Sequence, residues 1–370
     1  MIKRTKEEEA LQGFRALYHS YGYKRYKMST FEEYDLYVAN KSFLGGDNIV
    51  TFSDAGGRLM ALRPDVTLSI VKNAGAGTDG LEKLYYNETV YRSVGGALKE
   101  IPQVGLECIG RLDGYAMGEV VLLAARSLAL VDENYLLTLS PMGIVSALLD
   151  EAIPADAHPD TREKLLTCIG EKNPHGLRAL CGSCGISAEA VERLSALMQL
   201  GGGFTEALEV LRGLCVGEAA AEGLRELEEI AGMLALHDCA SRLRLDFSLV
   251  NDLQYYNGVI FKGYLRQLPT ELLSGGRYDR LAQRFGRDGG AIGFAINLGL
   301  LERLGGEENE YDVDLLLTYA PECTPMAVAE AVRALSADGR SVRVQPTGAA
   351  SGLKCRARMN LSERGLEVNA

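Results

Sequence analysis

The sequence contains no tryptophan and too few basic residues to balance its acidic ones. Its 39 lysines and arginines against 50 aspartates and glutamates give a net charge of −11, which disfavours binding to a phosphate backbone. It also lacks an uninterrupted apolar run of the roughly 20 residues that a membrane-spanning helix needs. The most apolar stretch, residues 120–131, is interrupted by Arg126, and the first residues turn acidic at 7–9, where a signal peptide would be apolar. We therefore expect a cytoplasmic protein with neither a membrane nor a nucleic acid as its partner.

A second metal-binding motif is lacking as well. The eight cysteines are scattered, and Cys181 and Cys184 form a single C-x-x-C pair. A structural zinc site needs four ligands, to which Cys168, His158 and His175 could contribute, but no second C-x-x-C or H-x-x-x-H lies near the pair. We expect ordinary buried thiols or a redox-sensitive pair, with no metal and no cofactor.

The chain is long enough for two or three domains at 370 residues. Short β-branched and aromatic segments, interleaved with helical patterns and glycine-rich turns, run from 23 to 145 and indicate an α+β fold. Alanine, leucine and glutamate dominate 150–238, and an acidic linker covers 306–310. We predict a discontinuous core at 1–145 and 240–305, a helical insertion at 146–239 and a small C-terminal α/β segment at 311–370.

Apolar residues recur at helical spacing in three places. A capping box of Thr5 and Glu8 opens the first stripe, and Gly22 ends it. Ser187 caps the second, and glycines 201–203 separate it from the third. The stripes are Leu11, Phe14, Leu17, Tyr18 and Tyr21; Val191, Leu194, Leu197 and Met198; and Leu224, Leu227, Ile230 and Leu234.

The remaining chain predicts strands joined by turns and short helices. The predicted strands are 243–247, 255–261, 291–297, 313–317 and 341–344; the helices are 298–304 and 326–335; and a turn at 275–279 leads into a further helix.

Four segments are polar where a core element should be apolar. They are 62–67 with Asp65 and Thr67; 90–107 with Arg92, Gln103 and Glu107; 249–258 with Tyr255 and Tyr256; and the pair 275–279 and 292–295. Taken singly, each has an ordinary explanation. Asp65 could pair with Arg63. Gln103 and Glu107, four residues apart, could form a solvated helix face, and the two tyrosines could be core and rim aromatics.

Together, in order and spacing, these segments resemble the catalytic core of histidyl-tRNA synthetase, a class II aminoacyl-tRNA synthetase. The resemblance covers roughly 1–145 and 240–305. It rests on an R-P-acid-x-T box at 63–67, a Q-x-x-x-E pair at 103–107 and an L-V-x-x-L-x-Y-Y box at 249–256. It implies a class II synthetase-like antiparallel sheet flanked by helices, with a helical insertion and a short C-terminal α/β piece.

The resemblance also implies a pocket for free histidine, which offers an ammonium, a carboxylate and an imidazole. In it, Asp65, Thr67 and Gln103 would accept from the ammonium, Arg92 would meet the carboxylate, Glu107 and Tyr255 would hold the ring nitrogens, and Tyr256 would help close the pocket. An analogue without the ring N–H groups would leave Glu107 buried and unpaired.

The groups that hold ATP in the synthetases depart from the pattern. Asn251 stands where the family has the arginine that stabilises the α-phosphate, a loss worth on the order of a hundredfold to a thousandfold in rate. Residues 92–98 lack the glutamate and second arginine of motif 2. Gly299 and Leu300 replace the Glu-Arg of motif 3, with Arg303 displaced by about one helical turn.

An intact amino-acid pocket beside a dismantled nucleotide site resembles the regulatory subunits of ATP phosphoribosyltransferase, which are paralogues of histidyl-tRNA synthetase. Their R-P-D-x-T box is matched at 63–67. The resemblance implies a chain without catalytic residues that binds histidine for feedback inhibition. It further implies activation of the short catalytic subunit in the first step of histidine biosynthesis, as a homodimer within a hetero-oligomer.

Two alternatives stay open. An active histidyl-tRNA synthetase would catalyse histidine-dependent exchange between ATP and pyrophosphate. A synthetase-like factor that binds tRNA or another enzyme of amino-acid metabolism is the other, although the acidic charge balance argues against tRNA.

Overall fold

The computed structural model describes residues 6–44, 49–73, 80–249, 255–304, 311–349 and 352–369. The chain divides into two compact units, residues 10–304 and residues 305–370 together with the first nine residues. The boundaries predicted for the core, the insertion and the C-terminal segment stay predictions.

A large sheet organises the first unit, and eight strands of the described residues form it. With strands numbered along the chain, its order from edge to edge is β1 (Lys24–Arg25), β5 (Glu82–Val94), β6 (Ala97–Gly110), β11 (Gly290–Asn297), β10 (Leu273–Arg277), β9 (Val259–Leu265), β7 (Tyr135–Pro141) and β8 (Leu243–Leu245). The five inner pairings are antiparallel, and only the two edge strands run parallel to their neighbours.

The two faces of this sheet differ in chemistry because successive side chains of a strand alternate between faces. On β6, Val104, Leu106 and Cys108 are fully buried in the main hydrophobic core. Gln103 and Glu107 alternate with them and therefore lie on the opposite face. That second face carries the polar segments singled out in the sequence.

Helices pack on both faces of the sheet and continue into a helical region. Those of the first unit are α1 (Lys6–Ser20), α2 (Tyr34–Ala39), α3 (Thr67–Asn73), α4 (Gly114–Val131), α5 (Met142–Ala152), α6 (Thr161–Gly170), α7 (Pro174–Ser183), α8 (Ala188–Met198), α9 (Phe204–Leu214), α10 (Glu218–Ala235) and α11 (Asp279–Arg284), with 3₁₀ helices at Lys41–Phe43, Ala240–Arg242 and Leu298–Leu304. Buried residues of α2, α3 and α11 form a second hydrophobic cluster with Tyr86 and Ile109, on the face opposite the main core.

Helix α4 is long and apolar enough to cross a membrane, but 67% of it is buried inside the protein. The Asp113 carboxylate caps its first turn by accepting from the Ala116 N–H at 2.8 Å. The Arg126 guanidinium, which interrupts the apolar sequence, donates to the Tyr21 hydroxyl at 2.9 Å. This burial identifies α4 as the core helix of the sheet.

The three predicted helical stripes are confirmed. Phe14, Leu17 and Tyr18 are buried on α1, which ends before Gly22 at φ +82°. The Ser187 hydroxyl caps α8 by accepting from the Ala190 N–H, and the third stripe is buried along α10. The predicted capping residue Thr5 lies outside the described residues. Helix α9, between the second and third stripes, was not predicted.

A small antiparallel sheet lies ahead of the polar segments in the chain. It consists of β2 (Phe31–Glu33), β4 (Leu59–Leu62) and β3 (Thr51–Ser53), in that order. Arg63, directly after β4, fixes it to the large sheet. Its guanidinium donates to the carbonyls of Ser29 and Thr89 at 2.7 Å and pairs with Glu88 of β5 at 2.6 Å.

The predicted turn at 275–279 is wrong, because Gly275 and Gly276 lie inside strand β10 and only Asp279 begins a helix. A Cβ at Gly275 would lie 2.5 Å from the Gly293 carbonyl oxygen, and one at Gly276 would lie 2.6 Å from the Tyr256 ring. These glycines therefore permit close packing on both sides of the strand.

The predicted strand at 255–261 is also placed too early, since β9 begins at Val259. Asn257 lies in the loop before β9, where its backbone N–H donates to the Arg277 carbonyl and its side-chain amide donates to Asp279. The strand at 291–297 is confirmed as β11, and the predicted helix at 298–304 is a 3₁₀ helix.

The second unit contains one four-stranded sheet in its described residues. Its order is β13 (Val342–Pro346), β12 (Val313–Tyr319), β14 (Cys355–Ser362) and β15 (Gly365–Asn369), with α12 (Pro325–Ser336) packed on one face. The predicted strand-helix-strand order is confirmed. The final hairpin of β14 and β15 was not predicted, although apolar and polar residues alternate along 355–362.

Candidate functional site

A cavity of about 450 Å³ opens on the polar face of the large sheet. All seven residues predicted to bind histidine line it: Asp65, Thr67, Arg92, Gln103, Glu107, Tyr255 and Tyr256. They come from α3 and the loop before it, from β5 and β6, and from the loop before β9. The fold thus brings together residues up to 191 positions apart (256 − 65) in the sequence. Their roles as histidine ligands stay predictions.

Strand register explains how the floor of the cavity is assembled. On β6, Gln103 pairs with Asn297 of β11, and Glu107 pairs with Gly293. A Cβ at Gly293 would lie 1.7 Å from the Glu107 carboxylate. Because Gly293 has no side chain, the Glu107 carboxylate has room to lie in the floor of the cavity.

Glu107 is the most buried acid of the cavity, with 1% of its surface exposed. It accepts a hydrogen bond from the Thr67 hydroxyl at 2.7 Å and a short one from the Tyr278 hydroxyl. Burial raises the pKa of Glu107 to about 8, although the two hydrogen bonds act in the opposite direction. Without ligand, this carboxyl group is therefore mostly protonated at neutral pH.

Asp65 lies beside it at the start of α3. Its carboxylate accepts from the Leu68 N–H at 2.7 Å, which fixes the side chain against the first turn of the helix. Burial raises the pKa of Asp65, while the Leu68 N–H and the Arg92 charge favour its ionised form. Two acids thus line one end of the cavity.

Arg92 projects from β5, and its Nε donates to the Pro64 carbonyl at 2.9 Å. A guanidinium has five N–H donors, so this anchor orients the fork without using all of it. The explanation that Asp65 pairs with Arg63 is wrong, because Arg63 is engaged with Glu88 and backbone carbonyls. The helix-face explanation for Gln103 and Glu107 is wrong too, because both lie on β6.

Three aromatic rings form a wall over the acids. The Tyr255 ring lies 4.7 Å from that of Tyr256 and 5.6 Å from that of Tyr278, centroid to centroid. Burial, with the nearby acids Asp65 and Glu107, raises the pKa of Tyr255 far above its ordinary value. Burial likewise raises the pKa of Tyr278, so the Tyr255 and Tyr278 hydroxyls stay protonated and can donate hydrogen bonds.

The sequence interpretation missed several polar residues of the cavity: Tyr86, Lys262, Glu271, Ser274, Tyr278 and Asn297. Lys262 carried a signal, since it stands in the apolar strand β9, opposite Ser274 of β10. Tyr278 stood in a segment that was singled out, but its contact with Glu107 crosses 171 positions and is invisible to local patterns.

The described residues include only some of the positions at which the sequence departs from the nucleotide-binding motifs of the synthetases. Asn251 lies outside the described residues. Gly299 and Leu300 lie on the 3₁₀ helix after β11, with Leu300 buried and Arg303 exposed. Among the described lining residues, the cations are Arg92 and Lys262.

None of the eight cysteines is among the described residues that line this cavity. In the part of the chain that the structure describes, no three histidine, cysteine or acidic side chains cluster as metal ligands would. Cys181 is fully buried, and burial raises the pKa of its thiol, with Cys184 and Cys168 adding to the effect. The role of the pair stays a prediction.

Comparison with known proteins gives consistent results. The histidyl-tRNA synthetase family model matches residues 3–301. The ATP phosphoribosyltransferase regulatory subunit of Symbiobacterium thermophilum is 30% identical, covering 89% of this chain and 84% of its own length. A crystal structure described as an ATP phosphoribosyltransferase regulatory subunit/histidyl-tRNA synthetase from Bacillus halodurans matches with a TM-score of 0.80 at 28% identity, over 94% of this chain and 90% of that chain.

A chain of the ATP phosphoribosyltransferase complex of Thermotoga maritima shares the fold with a TM-score of 0.63 at 21% identity, over 79% of this chain and 97% of that chain. The predicted class II synthetase-like fold is confirmed by these likenesses and by the antiparallel sheet. The chain belongs to the family of ATP phosphoribosyltransferase regulatory subunits, built on the histidyl-tRNA synthetase fold.

Proposed function

We propose that this chain binds free histidine in the cavity of the large sheet and thereby transmits feedback inhibition to ATP phosphoribosyltransferase. The observation that carries the proposal is the buried carboxyl of Glu107, held between Thr67 and Tyr278 at the floor of the cavity. A ligand that can hydrogen-bond to this buried carboxyl in place of water should bind tightly. A ligand that cannot would leave the carboxyl without a partner and should bind weakly.

The chemistry of the cavity matches the three polar groups of histidine. Since the pKa of Glu107 is about 8, its carboxyl can share one proton with an imidazole nitrogen as donor or as acceptor. Asp65 and Thr67, which also line the cavity, offer oxygens that can accept from the ammonium group of histidine. Arg92 presents a guanidinium to a carboxylate, and Gln103 and Tyr255 complete the contacts.

A regulatory role follows from the family rather than from a catalytic constellation. We propose that the chain acts without bond chemistry, joins the short catalytic subunit in a cytoplasmic hetero-oligomer and activates it, with a homodimer of this chain inside the assembly. Histidine can change that activity only as far as its affinity differs between the active and the inhibited arrangement, typically about 1–3 kcal/mol.

Titration calorimetry with histidine on the purified chain tests the pocket. The wild type should bind histidine, and Glu107→Gln should abolish measurable binding because the neutral amide cannot exchange a proton with the ring. A matched control is Glu119→Gln, since Glu119 is also buried, at 2% exposure, but pairs with Lys83 outside the cavity. Unchanged affinity in Glu107→Gln would refute the ring contact.

Histidine-dependent exchange between ATP and pyrophosphate separates this proposal from an active synthetase. We expect no exchange above background, because the nucleotide-binding arginines are absent from their usual sequence positions. Brisk exchange by the pure chain would instead establish a synthetase.

A further inference from the structure

Arg277, the last residue of β10, and the two residues that follow it contact three different parts of the molecule. Tyr278 donates to Glu107 in the cavity. Arg277 donates through Nε to Asp279 at 2.8 Å, and its terminal nitrogen lies 3.9 Å from Glu226 of α10. Asp279 contacts Asn257 in the loop before β9. Arg277 and Asp279 are not among the described residues that line the cavity.

The contact between Asp279 and Asn257 is reciprocal. The Asn257 amide donates to the Asp279 carboxylate at 3.2 Å, and its carbonyl oxygen accepts from the Asp279 N–H at 2.8 Å. The Asn257 N–H also donates to the Arg277 carbonyl at 2.9 Å. The second carboxylate oxygen of Asp279, which is 8% exposed, accepts from the Ala291 N–H at 3.0 Å. Asn257 is therefore held at three points.

The reciprocal contact between Asn257 and Asp279, called the clamp below, adjoins the aromatic wall in the sequence. Tyr255 and Tyr256 immediately precede Asn257, and both line the cavity. Tyr256 packs against Gly276 of β10, and the Arg277 side chain lies over Gly258, where a Cβ would approach it to 2.8 Å. A shift of Asn257 would therefore move both tyrosine rings.

We propose that Asp279 is a positioning residue, which sets the tyrosine wall of the histidine pocket through Asn257 without touching the ligand. The inference rests on the proposed function and adds a determinant of affinity outside the cavity. Because Arg277 contacts both Asp279 and α10, the same clamp joins the pocket to the helical region.

An exchange of the two side chains tests the geometry. Asp279→Asn places two amide donors face to face, and Asn257→Asp places two carboxylates face to face. Each single variant should weaken histidine binding about tenfold, within the usual range for coupled neighbours. The double variant Asn257→Asp/Asp279→Asn restores one donor opposite one acceptor between positions 257 and 279. Its amide also faces the Arg277 Nε donor, so the double variant should recover only part of the affinity. Calorimetry with histidine measures all four proteins.

Asp54→Asn is the matched control, because Asp54 also accepts from an arginine Nε at 2.8 Å and from backbone N–H groups, but on the exposed loop after β3. It should leave affinity unchanged. Should a single variant fail to fold, Asn257→Ala removes both side-chain bonds without burying a charge and should show the same loss.

Unchanged affinity in Asp279→Asn or Asn257→Ala would overturn the inference. Failure of the wild type itself to bind histidine would instead overturn the proposed function.

Discussion

The pKa of Glu107 couples the stability of the ligand-free protein to pH. Burial raises this pKa from 4.5 to about 8, so between these values the folded state binds more protons than the unfolded state. The free energy of unfolding should therefore fall as the pH rises from about 4.5 to about 8 and level off above that range.

Glu107→Gln should lack this contribution. Urea unfolding of both proteins without histidine, at intervals from acid to mildly alkaline pH, measures it. The stability of the wild type minus that of the variant should decrease with rising pH; a constant difference would show that Glu107 titrates normally.

Gly293 is the second residue on which the pocket depends. Gly293→Ala forces a Cβ against the Glu107 carboxylate, which must then leave its hydrogen bonds with Thr67 and Tyr278. We expect a loss of about 1–3 kcal/mol in stability, as for other overpacked sites, together with loss of histidine binding. Chemical unfolding and calorimetry measure the two effects.

Gly213→Ala serves as its control, because Gly213 lies within α9 with no atom within 4 Å of the added Cβ. That variant should gain about 0.5–1 kcal/mol and bind histidine normally. Normal binding by Gly293→Ala as well would contradict the assigned position of Glu107.

At the scale of single residues, the sequence motifs predict the cavity. They do not predict a lining residue whose place depends on a contact between strands. Asp65, Thr67 and Glu107 were identified from boxes of known spacing, and all three meet in the cavity. Ser274 faces Lys262 only because β9 and β10 pair in one register, which no local pattern encodes.

Among the elements, the small sheet depends on Arg63 for its attachment to β5. The side chain is 3% exposed and satisfies two backbone carbonyls and Glu88 at once, a geometry that suits a guanidinium fork. Arg63→Lys keeps the charge but leaves at least one buried acceptor without a donor, which should cost about 1–3 kcal/mol.

Chemical unfolding measures this loss. Arg58→Lys is the control, since Arg58 forms exposed pairs with Asp54 and Glu33 and should change stability by about 0.5 kcal/mol or less. Equal effects of the two substitutions would mean that Arg63 does not fix the sheet.

Helices were easier to predict than strands for a physical reason. Burial along one stripe, as for Leu224, Leu227 and Ile230 of α10, repeats every turn and is visible in the sequence. Gly275 and Gly276 predict a turn, because glycine is typical both of turns and of close packing. Only the contacts with the neighbouring strand and the Tyr256 ring distinguish the two.

At the scale of the whole molecule, the chain is a member of the ATP phosphoribosyltransferase regulatory subunits, and we propose that histidine acts through it on a catalytic subunit. The net charge of −11 disfavours binding to a phosphate backbone. What remains is whether histidine in this cavity controls a catalytic partner.

Inhibition of the reconstituted assembly by histidine tests that claim most directly. Phosphoribosyl transfer by the short catalytic subunit would be measured against histidine concentration, with either the wild-type chain or Glu107→Gln added. Both chains should activate the catalytic subunit equally, and only the wild-type assembly should be inhibited by histidine. Equal inhibition of both assemblies would contradict the account, because it would place the effector site outside this cavity.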